Sequence, residues 1–369
     1  MSDPRQTPLV RSLPSTVPFV APERLEAERG VTFDARLGAN ELPFGPSPKA
    51  RAAMAEAVED IWKYGVADMP ALRGAIAARH GIAPEAVTVG EGIDGLLGTL
   101  VRLYVAEGDA VVTSDGSYPT FNYHVAGVGG VLHKVPYRGD FEDPEALVAR
   151  AAEVGAKLVY LSNPNNPMGS VHDAAAVQAM IDSVPEGCLM VLDEAYTEFA
   201  PASSRPEIDT TDRRVIRFRT FSKAYGMAGA RIAYGIAHPE IAGSFDKIRN
   251  HFGVNRIAQA GALAALGDEP WLADVVEQVA RGRDRIARIA QQNGLTPLPS
   301  ATNFVTVDCG RDGDHARALL AALTARGVFV RMPGVAPLDR CIRISVGTEA
   351  ELDVLAERLP LALRDLGAG

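Results

Sequence analysis

The chain has 369 residues, 47% of them hydrophobic and 22% charged, with a formal net charge of −9. That length suffices for a large core and two domains. The acidic balance argues against a nucleic-acid or anionic-membrane surface, so any anionic ligand must be met by local arginines.

Residues 1–40 read as an arm, extended or with a short helix, broken by Pro4, Pro8, Pro14, Pro18 and Pro22. The loop 40–48 cannot be helical, and Ser47-Pro48 starts a helix running to about Trp62. A second helix spans 70–81. From there strands and helices alternate: strands at 87–89, 110–113, 131–135, 157–161, 188–192, 215–219 and 232–236, with helices at 92–105, 118–125, 144–153 and 173–184. Such alternation predicts an α/β fold with a mostly parallel sheet covered on both faces, which places ligands at the carboxyl ends of its strands. The pattern changes near 260–275. A long helix at 269–292 leads into a smaller α+β unit with strands at 304–307, 328–331 and 341–346. The expected division is an arm at 1–40 packed on the small unit, a large ligand-binding domain at 41–265 and a small domain at 266–369.

Cys188, Cys309 and Cys341 lie far apart with no CxxC spacing, as in a reduced cytoplasmic protein. Residues 1–22 lack the apolar run of a signal peptide, and no stretch reads as a membrane span. The seven histidines are scattered without metal-ligand spacing, so no metal is expected.

One run stands out: Thr220-Phe221-Ser222-Lys223, followed by small residues and then Arg231. Lysine is scarce in this chain. Two readings of Lys223 stand: a stem snorkelling from a helix end, or a desolvated amine whose lowered pKa makes it a Schiff-base nucleophile. Ser222 and Arg231 suit a bound anion, most simply a phosphate. Asp193 and Tyr196, after an apolar strand, supply a carboxylate and a phenol, the partners that the ring nitrogen and ring oxygen of pyridoxal need. Gly90-Glu91-Gly92-Ile93-Asp94-Gly95 matches the dinucleotide GxGxxG, but it begins late in the chain and leaves Lys223, Asp193, Tyr196 and Arg231 without a role. Its free N–H groups at a helix start suit a phosphate of either kind. The loop 162–169, Ser-Asn-Pro-Asn-Asn-Pro-Met-Gly, is by composition a turn, and also a rigid mount for an amide at a strand end.

Together with the loop 40–48, the Asp193–Phe199 segment and the strand 343–348, these motifs resemble the fold-type I, class I/II pyridoxal-phosphate aminotransferases, and most closely the histidinol-phosphate aminotransferases. The resemblance implies pyridoxal 5'-phosphate as cofactor, a seven-stranded mostly parallel sheet in the large domain, and a homodimer. It implies that Lys223 joins the cofactor and shuttles a proton, that Asp193 pairs with the ring nitrogen, and that Asn166 and Tyr196 bond the ring oxygen. Tyr118 would stack on the ring. Ser222, Arg231 and the backbone of Glu91 and Gly92 would cradle the phosphate, with Tyr64 reaching it from the partner subunit. Arg343 would be the arginine that pairs with a substrate α-carboxylate, Arg331 is a candidate for a distal phosphate, and Asn303 lies near the substrate mouth. Leu42 and Phe44 stand where the family has polar residues near the substrate entrance.

The expected activity is amino transfer from histidinol phosphate to 2-oxoglutarate. The alternatives are an aromatic amino acid as donor, or another reaction of the same cofactor such as decarboxylation of an amino-acid phosphate. A cofactor-sensing transcription regulator would need a DNA-binding domain, for which the arm is too short and Pro-rich.

Overall fold

The computed structural model describes residues 6–15 and 21–367. Pro4 and Pro18 of the arm lie outside the described residues. Two short helices, Pro8–Ser12 and Pro22–Arg29, form in the described part of the arm.

Seven strands build the main sheet, side by side in the order Val87–Gly90, Ala233–Ile236, Val215–Thr220, Leu189–Asp193, Leu158–Ser162, Ala110–Ser114 and Val131–Val135. All neighbours pair in parallel except around Ala233–Ile236, which runs antiparallel to both of its neighbours. Alternate residues along each strand enter different cores, the period of two expected when both faces are covered. Leu158, Tyr160, Leu189 and Val191 pack with the helix Gly92–Tyr104. Val159, Leu161, Met190 and Leu192 pack with Pro144–Val154 and Ala174–Asp182.

A second, antiparallel sheet orders Cys341–Ser345, Phe304–Asp308 and Thr296–Pro297. Ala35–Arg36 pairs in parallel with Val328–Phe329, so this part of the arm is stitched to the C-terminal sheet region. The helix Glu269–Gln292 buries Val275, Val279, Ile286 and Ile289, spaced as one helical stripe, in the same core as Phe304, Val307 and Ile344. A Thr348–Glu351 capping box starts the helix Glu349–Asp365.

Two helices lie where the sequence reading assigned no element. Pro239–Ser244 is short, and Arg256–Leu266 packs on Pro48–Val58. The second was hidden by composition. Its buried residues are Ala258, Gly261, Ala262, Ala265 and the terminal Leu266, a mostly small face that carries little hydrophobic contrast but lets two helices approach closely. A Cβ at Gly261 would stand 2.6 Å from Met54 Cγ.

The loop carrying Lys223 leans on the loop 40–48 at one point. Gly226 has φ of 68°, and a Cβ there would overlap the Gly45 carbonyl. Gly226→Ala combines a left-handed backbone with a backbone clash, so it should destabilise the protein by about 3 kcal/mol or more. Urea denaturation checks this; a loss below about 1 kcal/mol would contradict the tight apposition of the two loops.

Candidate active site

The parallel strands end on one rim, and a cavity of about 630 Å3 opens there. Asp193 closes its strand. Lys223 follows Val215–Thr220 by three residues, Asn166 follows Leu158–Ser162 by four, and Tyr118 follows Ala110–Ser114 by four. Arg231 reaches the same rim by another route. Thr220 pairs with Ala233 on the antiparallel strand, so that strand begins where its neighbour ends. This reversal sets Arg231 beside Ser222, with Arg231 Nη1 donating to Ser222 Oγ at 3.4 Å. Asp193, Tyr196, Lys223, Asn166, Tyr118, Ser222 and Arg231 all contribute to the cavity wall, as do Arg331 and Arg343.

Asp193 is buried. Its Oδ2 accepts the Tyr160 hydroxyl at 2.7 Å and its Oδ1 accepts the Ala195 N–H at 3.0 Å. Tyr160 pairs with Val191, two residues before Asp193, so both side chains lie on one sheet face as diagonal neighbours. Burial pushes the Asp193 carboxyl up to about 6, against the pull of these hydrogen bonds. The next residue, Glu194, takes Arg219 Nε at 2.8 Å and Arg217 Nη1 at 3.4 Å in a buried cluster. That cluster ties the strand ends bearing Asp193 and Lys223 together.

The Lys223 Nζ donates to the Asn40 carbonyl at 3.0 Å and sits 5.6 Å from the centre of the Tyr196 ring. Burial, reinforced by Arg343, pulls its pKa from 10.5 to about 8. Tyr196 stands edge-on to Phe304, 5.5 Å between ring centres, and its oxygen accepts Asn40 Nδ2 at 3.0 Å. Arg343 donates to Asn166 Oδ1 at 2.5 Å and to the Gly38 carbonyl at 3.1 Å. That spends the Asn166 oxygen and leaves its NH2 as the group able to serve a ligand. Arg331 bridges Arg343 by backbone hydrogen bonds, so two guanidinium groups share one wall.

At the helix start, Ile93 and Asp94 line the cavity wall, and the Arg231 guanidinium lies against Gly92. The Glu91 side chain turns aside against Gly253. Asn303 is buried beneath the wall, its Nδ2 donating to the Asn40 and Glu41 carbonyls at 3.0 and 3.3 Å, so it shapes the loop rather than the mouth. Leu42 is in the core and Phe44 packs against it, so neither apolar replacement alters the entrance. Tyr64 is 78% exposed and packs on Phe252, with 4.7 Å between ring centres, outside the cavity of its own chain. Sequence reasoning missed Asn40 and Tyr160 as site residues. An asparagine, a residue type that tolerates a left-handed backbone, in a Pro-rich loop, and a tyrosine two residues before a strand end were the available signals. Pro22 and Glu23 of the arm also line the wall.

The family described as aminotransferase class I and II matches residues 35–359. The histidinol-phosphate aminotransferase of Sinorhizobium meliloti, solved in complex with pyridoxal-5'-phosphate, superposes with a TM-score of 0.95 at 53% identity, covering 98% of both chains. The histidinol-phosphate aminotransferase of Moorella thermoacetica is 34% identical over 360 residues, 96% of this chain and 92% of its own. That of Anaeromyxobacter sp. is 37% identical over 352 residues, 94% of this chain and 96% of its own.

A lysine with its pKa near 8 is largely unprotonated where ordinary lysines are not. In the cofactor-free protein, an amine-selective acylating reagent should modify Lys223 with a half-maximal rate near pH 8, read by peptide mass spectrometry across a pH series. A midpoint near 10.5 would contradict the desolvated site.

Proposed function

The chain belongs to the class I and II aminotransferases, and from that premise we propose that it moves an amino group from histidinol phosphate to 2-oxoglutarate with pyridoxal 5'-phosphate as cofactor. The residues of the cavity fit that cofactor by the chemistry of their donors. A buried carboxylate, a phenol with an amide beside it, an amine of lowered pKa and a serine–arginine pair at a helix start match its ring nitrogen, ring oxygen, carbonyl and phosphate. When bound, pyridoxal phosphate withdraws electrons from the substrate's Cα and so acidifies its C–H bond.

The chain's own groups do the rest. Asp193, held by Tyr160 and the Ala195 N–H, keeps a proton on the ring nitrogen through a charge-assisted hydrogen bond. Ser222, Arg231 and the first N–H groups of the helix Gly92–Tyr104 bind the phosphate and fix the ring's depth. Tyr118 covers one face. Lys223 Nζ, with its pKa lowered to about 8, would take the Cα proton and pass it to the cofactor's former carbonyl carbon, a pKa close to working pH as general acid–base catalysis requires.

The observation that carries the substrate reading is the pair Arg331 and Arg343. Histidinol phosphate has no α-carboxylate, and its charge is a phosphate dianion. Two guanidinium groups on neighbouring backbone positions suit a dianion better than a single carboxylate. Every relative named above is itself called a histidinol-phosphate aminotransferase.

Ile61, Trp62, Tyr64, Val66 and Phe252 form an exposed apolar face. A second copy of the chain would cover it and bring Tyr64 to the partner's phosphate site, so the active unit is read as a homodimer. The arm at 1–40, the domain at 41–265 and the small domain at 266–369 remain our division of the chain. Among the described residues no helix is long and apolar enough to cross a membrane, and three buried free cysteines accord with a cytoplasmic enzyme.

Arg331→Ala should weaken kcat/KM for histidinol phosphate roughly ten- to hundredfold, the worth of one or two charge-assisted hydrogen bonds. Turnover of L-phenylalanine should change far less. Equal losses for both substrates in steady-state assays would remove the phosphate role and favour the aromatic amino-acid reading.

A further inference from the structure

Asn40 has φ of 54°, a left-handed conformation that asparagine and aspartate tolerate better than most residues. It is buried, as are Ser345 and Tyr196. Its N–H donates to Ser345 Oγ at 3.0 Å, and Ser345 Oγ donates to Asn40 Oδ1 at 2.8 Å. Its Nδ2 donates to the Tyr196 oxygen at 3.0 Å, and its carbonyl accepts Lys223 Nζ.

Counting hydrogens fixes the direction of this chain. Ser345 Oγ has one hydrogen. The Asn40 N–H occupies a lone pair, so that hydrogen goes to Asn40 Oδ1. Turning the amide over would place its NH2 against Ser345 and take this acceptor away from a buried hydroxyl, an unfavourable exchange. The amide therefore presents its N–H to Tyr196. The Tyr196 oxygen already receives a hydrogen on that side, so its own hydrogen must point elsewhere. Phe304 closes another side edge-on, and the cavity is the open one.

We propose that Asn40 is a positioning residue: with Ser345 it turns the Tyr196 hydroxyl hydrogen into the cavity and makes Tyr196 a committed donor to an anionic oxygen of the bound group. The inference rests on the pyridoxal-phosphate reading, in which that oxygen belongs to the cofactor ring. It also links the site to the strand Cys341–Ser345, which carries both Ser345 and Arg343. An ionised aspartate at position 40 would reverse the polarity, because its carboxylate has no hydrogen to give and would draw the Tyr196 hydrogen to itself.

The test is a double-mutant cycle of Asn40→Asp and Tyr196→Phe in protein loaded with pyridoxal phosphate. The readout is the pH midpoint of the absorption change of the lysine-bound cofactor, with thermal melting to verify folding. Asn40→Gly, which keeps the backbone conformation, is the second variant. Loss of the Tyr196 donor makes the ring oxygen hold its proton more tightly, so the midpoint should rise in Tyr196→Phe. Asn40→Asp should raise it too, partly through its added charge. The charge contributes in both tyrosine and phenylalanine backgrounds and cancels in the cycle. A remaining coupling of about one pH unit is expected, the size of one charge-assisted hydrogen bond. Asn40→Gly should give a smaller shift in the same direction. Strict additivity of the two substitutions, or an unshifted midpoint in both Asn40 variants, would overturn the proposal. A wild-type protein that takes up no pyridoxal phosphate would instead overturn the reading beneath it, and that result needs no variant.

Discussion

The antiparallel pairing of Thr220 with Ala233 is the constraint on which the site depends. In an all-parallel sheet, a residue eleven positions past Thr220 would lie in a crossover connection. The reversal of one strand instead returns the chain at once, so Lys223, Ser222 and Arg231 share the rim that the parallel strands reach by their carboxyl ends. Amine, hydroxyl and guanidinium are thereby brought together by a loop too short to stray. Gly226, in that loop, then admits the Gly45 carbonyl, and the loop 40–48 delivers Asn40 to the lysine.

Burying charge at that rim is costly, and the structure offsets the cost in layers. Glu194 is balanced by Arg217 and Arg219 on one side of the strand ends. Asp193 is held by Tyr160 and a backbone N–H on the other. Lys223 shares the cavity wall with Asp193, with a carbonyl rather than a carboxylate as its hydrogen-bond partner. A carboxylate there would pin the ammonium in its charged form. A carbonyl accepts the hydrogen and still lets burial lower the pKa.

Much of this was legible in the residues. The strands between 87 and 236 follow from short apolar runs with turn signals, and because these strands run parallel their carboxyl ends place Asp193 and Tyr118 on one rim. Lys223, Ser222 and Arg231 were found through chemistry rather than pattern. What stayed hidden has physical reasons. Apart from its last residue, Leu266, the helix Arg256–Leu266 buries only alanine and glycine, which leave little hydrophobic signature. Leu42 is placed at the entrance by the family's loop pattern and Asn303 by its position before a strand, yet a one-residue step moves a side chain from cavity to core. Tyr160 and Asn40 act through partners 33 and 156 residues away, which no local window contains.

The cavity is read as holding pyridoxal phosphate on Lys223 and exchanging an amino group with histidinol phosphate. A single-turnover half-reaction tests it most directly: the purified, cofactor-loaded protein is mixed with L-histidinol phosphate in the absence of any oxo acid, and its absorption is followed. The yellow colour should bleach in one stoichiometric phase and return on adding 2-oxoglutarate. A loaded protein whose spectrum histidinol phosphate leaves unchanged, while another amino compound bleaches it, would contradict the substrate; a protein that stays colourless with pyridoxal phosphate would contradict the site itself.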